Sequence, residues 1–113
     1  MPTPHFDPDA RADLEELWSY IAKDNPDAAD TYLDEIYQKT QQHADHPYMG
    51  KSEPTLAKRL GIASDRLRSF LYRNHRCYYL TGTDTIWVLG YIHSRRNRDR
   101  LFRERFRRLR DEQ

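Results

Sequence analysis

Lysine is scarce in this chain: there are four, against fifteen arginines, and none follows Lys58. Cysteine is scarcer still. Cys77 stands alone, so no intrachain disulfide and no cysteine zinc cluster can form. No apolar run approaches the ~20 residues that would span a bilayer. The first ten residues, MPTPHFDPDA, lack both a basic start and an apolar core, so no signal peptide is read there. Together these point to a cytoplasmic protein without a membrane partner. With 113 residues, the chain has room for one domain over 1–113 and one modest core. A charged fraction of 33% and a mean hydropathy of −1.05 leave that core thin and dependent on eight Tyr, four Phe and two Trp.

Charge is abundant and unevenly placed. Residues 1–57 carry four Lys/Arg against twelve Asp/Glu, a net of −8. Residues 58–113 carry fifteen against six, a net of +9, so the chain's +1 hides two opposed halves. Between Arg95 and Arg110 nine arginines meet only Asp99 and Glu104. Guanidinium groups suit planar carboxylates and phosphates, and a purely solubilising surface usually mixes in lysine. Two outcomes are open: a basic end that attracts an anionic partner, or an acidic half that folds back and neutralises it.

Hydrophobic spacing organises the chain. From Asp9 to about Lys23, Leu14, Leu17, Trp18 and Ile21 form a helical stripe, with Asp13, Glu15 and Glu16 read as a solvated face. Asp24-Asn25-Pro26 stops that helix and starts another, with Asn25 as N-cap and Pro26 at the first helical position. The second helix runs to about Ala44 on an apolar face of Ala29, Leu33 or Tyr32, Ile36, Tyr37 and Thr40. So short a connection makes the two an antiparallel hairpin. HPYMG, residues 46–50, breaks the pattern, and residues 54–60 can form one or two helical turns before Gly61.

The period then falls to two. Strands are expected over Leu67–Tyr72, Arg76–Leu80 and Thr85–His93, with turns at Asn74-His75 and Thr81–Asp84. In the last strand, alternation sets Ile86, Val88, Gly90 and Ile92 against Trp87, Leu89, Tyr91 and His93. Both sets are mostly apolar, which predicts a central strand covered on both faces. Tyr72, Tyr78, Tyr79, Trp87 and Tyr91 read as sheet packing ahead of a base-stacking platform. Leu101, Phe102, Phe106 and Leu109 then make a stripe on an Arg-rich helix. The expected fold is α+β: an N-terminal helical hairpin packed on a small antiparallel sheet of three or four strands, with a C-terminal Arg-rich helix.

Four segments in this order resemble the RelE/ParE superfamily, the toxin halves of bacterial type II toxin–antitoxin pairs. They are DLEELWSYIAKDNPDAADTYLDEI, HPYMG, LRSFLYRNHRCYY and the strand ending in YIHSRRN, within residues 9–97. The first resembles the ParE branch, with Asp-Leu, an aromatic, Tyr-Ile-Ala, Asp-Asn-Pro and Ala-Ala in sequence. The resemblance implies a small toxin held inactive by a cognate antitoxin, in a possible hetero-oligomer with it. ParE-like members inhibit DNA gyrase by binding; RelE-like members cut messenger RNA on the ribosome; a relative without toxicity is a third class.

Backbone cleavage of RNA needs a base, an acid and cations for the developing charge. In the register that the resemblance implies, Arg76 and Arg96 fall on the nuclease arginine positions. Leu67 and Ser69 fall where lysines are expected, and Phe102 where a tyrosine belongs, so the tyrosine-dependent chemistry is damaged. Some relatives carry a histidine near His93, which would give the alternative catalytic set His93, Arg76 and Arg96; the plainer reading of His93 is a strand-end histidine bonded to backbone. The favoured reading is a binding protein rather than an enzyme, with Arg68, Arg95, Arg96, Arg98, Arg100 and Arg103 as target-binding residues. No cofactor is expected. His43-x-x-His46 lacks a third ligand, so no metal site is expected either, and Cys77 reads as a small buried hydrophobe.

Overall fold

The computed structural model describes residues 2–111, with side chains as far as Arg107. Its elements are β1 (His5–Phe6), α1 (Pro8–Ala22), α2 (Pro26–Asp45), β2 (Lys51–Ser52), α3 (Pro54–Leu60), β3 (Leu67–Tyr72), β4 (His75–Thr81), β5 (Ile86–His93) and α4 (Arg98–Asp111). The strands lie in the order β1-β5-β4-β3-β2. Only the β1–β5 pair is parallel. The α+β class, the hairpin, the three-stranded meander and the C-terminal helix all match the sequence expectation. The sheet has five strands instead of three or four and is mixed. Its two additional strands are two residues each and pair with distant partners, His5 with Trp87 and Lys51 with Ser69, so no local alternation announces them.

Local chemistry sets the helix ends. Asp7 caps α1 by accepting from the Asp9 amide at 2.9 Å, and Pro8 takes the first helical position, one residue before the expected start. Asn25 accepts from the Ala28 amide at 3.1 Å and Pro26 opens α2. Gly61 ends α3 in the left-handed region, at φ 72°, where a side chain would be strained. The β3–β4 turn is Arg73-Asn74, one residue earlier than expected, because Tyr72 pairs with His75 and Arg73 itself takes φ 53°.

The sheet is covered on both faces, as the composition of β5 implied, but the middle strand is β4; β5 is flanked on its other side only by the two-residue β1. Against the hairpin face pack Leu14, Leu17, Ile36, Phe70, Cys77, Tyr79, Val88 and Tyr91. Against the opposite face, under α3 and α4, pack Leu56, Leu60, Leu67, Tyr78, Leu89, Ile92 and Phe102. Strict alternation along β5 is broken. Tyr78 pairs with Gly90 while Tyr79 pairs with Val88, so Leu89 is an extra, bulged residue. Ile86 and Val88 therefore share a face with Tyr91, not with Ile92 as a period of two required. On the hairpin, Trp18 belongs to the outer side: it is 37% exposed and its indole N–H donates to Asp30 at 2.8 Å. Tyr37 is also exposed. The side chain of Leu109, expected on the α4 stripe, lies outside the described residues, as do those of Arg108 and Arg110.

Candidate functional site

The stretch YIHSRRNRDR folds as strand end, turn and capped helix. β5 stops at His93, and the turn closes through the Arg96 amide donating to the His93 carbonyl at 2.9 Å. Asn97 caps α4, its side chain accepting from the Arg100 amide at 3.1 Å and its carbonyl from the Leu101 amide at 3.2 Å. Phe102, 1% exposed, anchors the helix edge-on to Tyr78 with ring centres 5.0 Å apart. Leu101 and Phe106 pack beside it.

This docking sorts the arginines into two sets. Arg98 donates to both oxygens of the buried Glu53 carboxylate, at 2.7 and 3.2 Å, and to the Tyr78 hydroxyl at 3.1 Å. Arg105 reaches α1, giving Asp13 two hydrogen bonds at 2.7 and 3.0 Å, with Asp9 at 3.9 Å. Arg100 pairs along its own helix with Glu104, and Arg59 of α3 holds Asp99. By contrast, Arg95, Arg96, Arg103 and Arg107 are exposed, and among the described residues no carboxylate pairs with them. Folding back thus neutralises part of the basic end and leaves the rest bare.

Asp13 is not on a solvated face, as its place on the helical wheel suggested. Its side chain is 9% exposed and closes the outer edge of β5 where β1 ends. β1 pairs only with Trp87 and Val88. Beyond them the Tyr91 amide donates to Asp13 at 3.0 Å, and the Leu89 carbonyl accepts from Arg105 at 3.3 Å. An ion pair thus replaces the missing strand, satisfying backbone groups that would otherwise be costly to bury. Burial raises the Asp13 carboxyl above its ordinary pKa, with the Arg105 hydrogen bond opposing. The arrangement needs Gly90: a Cβ there would come within 2.5 Å of the Arg105 guanidinium and 3.0 Å of the Asp13 carboxylate.

The residues of the alternative nuclease set are not brought together. Pairing places Arg76 opposite Ile92, on the α3–α4 face, where it donates to Ser69 at 3.0 Å. His93 pairs with His75 and follows Tyr91, on the hairpin face. Arg96 joins His93, not Arg76. Leu67, Ser69 and Phe102 are buried. Arg68, expected at the target surface, donates to the Gly50 and Tyr48 carbonyls at 2.9 and 3.2 Å and lies 4.8 Å over the Tyr48 ring.

At the hairpin end of the seam lies a cleft of about 480 Å³ between α1 and the ends of β4 and β5. His75, His93, Arg96, Lys23, Tyr20 and Glu16 line it. The two imidazoles stand perpendicular with centres 5.2 Å apart. Burial, and after it the charge of a protonated His93, lowers the His75 pKa. Sequence reasoning singled out His93 and Arg96 here and missed the rest; His75 comes opposite His93 only through the Leu89 bulge, which shifts the β4–β5 register by one residue.

Elsewhere, polar groups are consumed by the fold. His43 is buried, donates from Nδ1 to the Lys39 carbonyl at 2.8 Å and stacks on Phe70 with centres 4.2 Å apart, while His46 is exposed. Among the described residues, no three His, Cys, Asp or Glu side chains are grouped to hold a metal. The Cys77 thiol is buried, and burial pushes its pKa up, away from thiolate reactivity. No helix among the described residues is long and apolar enough to cross a membrane.

Comparison with known families agrees with this architecture. No curated protein matches the chain. Residues 5–98 match the family described as ParE toxin of type II toxin-antitoxin system, parDE, a span covering both helices of the hairpin, the whole sheet and the seam. The chain belongs to the ParE toxin family of type II toxin–antitoxin systems.

Proposed function

We propose that this single-domain toxin, spanning residues 1–113, inhibits DNA gyrase by binding and is neutralised by a cognate antitoxin. The observation that carries the reading is the bare arginine set, Arg95, Arg96 and Arg103, on the seam and outer face of α4, while Arg98 and Arg105 spend their charge on holding that helix in place. A docked helix and the turn before it, presenting unpaired guanidinium groups, are suited to carboxylates or phosphates on a large target and to electrostatically steered encounter. Arg100, paired only with a neighbour on an exposed helix face, adds to this surface at little cost.

Geometry gives the ribosome-dependent nuclease little support. Arg76 and His93 occupy opposite faces of the sheet, and Phe102 is a core side chain without a proton to transfer. His93 also accepts the Arg95 amide at Nδ1, 3.1 Å away, so its neutral ring carries a proton on Nε2 and is not poised as a base there.

The test is induction of the chain and of its His93→Ala form in a bacterial host. DNA breaks and the damage response with intact transcripts, the same for both forms, are expected. Ribosome-phased transcript cuts abolished by His93→Ala would overturn the reading in favour of the nuclease. Unimpaired growth with soluble, folded protein would leave a relative without toxicity. Co-expression of the neighbouring short reading frame should restore growth if that frame encodes the antitoxin.

A further inference from the structure

The cleft at the start of β4 and the end of β5 has a donor set of which the gyrase reading uses Arg96 alone. Both of its histidines have Nδ1 already filled. Arg95 donates its amide to His93 Nδ1 at 3.1 Å. The Tyr32 hydroxyl lies 3.2 Å from His75 Nδ1 and engages that nitrogen. The neutral His93 ring therefore carries its proton on Nε2, and a phosphate that protonates His75 meets an Nε2–H donor there whichever way the Tyr32 bond runs. Two imidazoles, with ring centres 5.2 Å apart, thus stand in one cleft with the Arg96 guanidinium and the Lys23 ammonium.

The acidic and apolar walls define what else a ligand would need. Asp13 at the back is neutralised by Arg105, and the Tyr91 hydroxyl donates to Thr40 at 2.7 Å, because Thr40 itself donates to the Ile36 carbonyl. Neither is available to a ligand. Glu16 is exposed at the rim and would oppose a ligand that is only an anion, but it accepts from hydroxyl or amino groups. Tyr20, 73% exposed, offers a flat ring beside Leu17. A volume of about 480 Å³ lies within the range of small-molecule sites, ~300–1,000 Å³.

From this combination we infer that the cleft binds a nucleoside monophosphate. The phosphate takes the two Nε2–H donors, Arg96 and Lys23; the base lies against Tyr20; ribose or exocyclic amino groups meet Glu16. Phosphate held by several charge-assisted and neutral donors, with a base on an aromatic ring, matches the cations, ring donors and aromatic wall of the cleft. No bond is made or broken: with both Nδ1 atoms engaged and Arg76 on the other face, the site is built to hold a phosphate, not to cleave one.

The experiment uses the intact chain, without gyrase or antitoxin, so its outcome is independent of the target. Adenosine 5′-monophosphate, adenosine and inorganic phosphate are titrated separately, following the imidazole ¹H–¹⁵N signals by NMR and heats by calorimetry. The monophosphate should bind more tightly than either fragment and shift the Nε2 signals of both His75 and His93. Arg96→Ala should weaken it by about tenfold, the loss expected for one hydrogen bond to a charged group, while Lys58→Ala, a remote exposed cation on α3, leaves it unchanged. A single-stranded oligonucleotide lacking a terminal phosphate should shift these signals less than the mononucleotide; an equal or larger shift would make the site a strand-binding groove and overturn the assignment. So would unmoved imidazole signals, or equal weakening by Lys58→Ala and Arg96→Ala, which would mark diffuse charge attraction.

Discussion

Arg98 and Arg105 share one short segment and one chemistry with Arg95, Arg96 and Arg103, yet the two groups have opposite fates. The first pair meets the buried Glu53 carboxylate and the largely enclosed Asp13 carboxylate, and becomes part of the fold. The second group meets none among the described residues and faces solvent. In this segment an arginine's role is decided by whether the body of the fold presents an enclosed anion opposite it. The strong positive charge of the C-terminal segment is thus two populations, one that fastens α4 and one that α4 displays.

Breaking the fastened set should have the largest effect on stability. Arg105→Ala leaves the Asp13 carboxylate buried and unpaired and takes a donor from Leu89, for an expected loss of about 3 kcal/mol in urea unfolding, at the lower end for a broken buried pair. A loss below 1 kcal/mol would mean that the clamp is incidental. Gly90→Ala should follow, at about 2 kcal/mol, because its methyl group displaces the same guanidinium. The two losses should not add: in an Arg105→Ala background most of the Gly90→Ala effect should vanish. Independent, additive losses would show that Gly90 serves something else.

The hairpin side responds to a different variable. Burial lowers the pKa of both His43 and His75 below 6.5, so near that pH the unfolded chain binds more protons than the folded one. Stability is therefore present above the ordinary imidazole value of 6.5 and is lost progressively as the pH falls below it. Asp13, with its pKa raised, acts in the opposite sense at lower pH, so the histidines should dominate this window. His43→Gln should flatten the slope measured between about pH 7 and pH 5.5; an unchanged slope would assign it elsewhere. The smallest stability change belongs to the displayed set: Arg103→Ala should shift the unfolding midpoint by less than about 0.5 kcal/mol.

How much of this was legible in the sequence follows the distance over which each feature is determined. Asp24-Asn25-Pro26 and Gly61 encode their helix ends locally, and the hairpin, the α3 turn and the meander were readable from spacing. The Leu89 bulge was not, because it exists only in the pairing of β5 with β4. β1 and β2 were too short to show a period, and Trp18 fits the helical stripe until the second helix is placed beside it. At the site, charge counting found the arginines but could not divide them. Glu53 lies 45 residues from Arg98 and Asp13 lies 92 from Arg105, so only the folded chain reveals which carboxylate meets which guanidinium. The same applies to the cleft, where His75 and Lys23 join His93 across separate elements.

The central claim is that the displayed arginines act on the target while the fastened ones only build the surface. It is tested most directly by inhibition of gyrase supercoiling with purified Arg95→Ala/Arg96→Ala/Arg103→Ala protein, compared with unsubstituted chain of equal measured stability. The account predicts that the triple variant stays folded and loses inhibition, and that raising salt weakens the unsubstituted chain more than any residual activity of the variant. Full inhibition by a folded triple variant would contradict it.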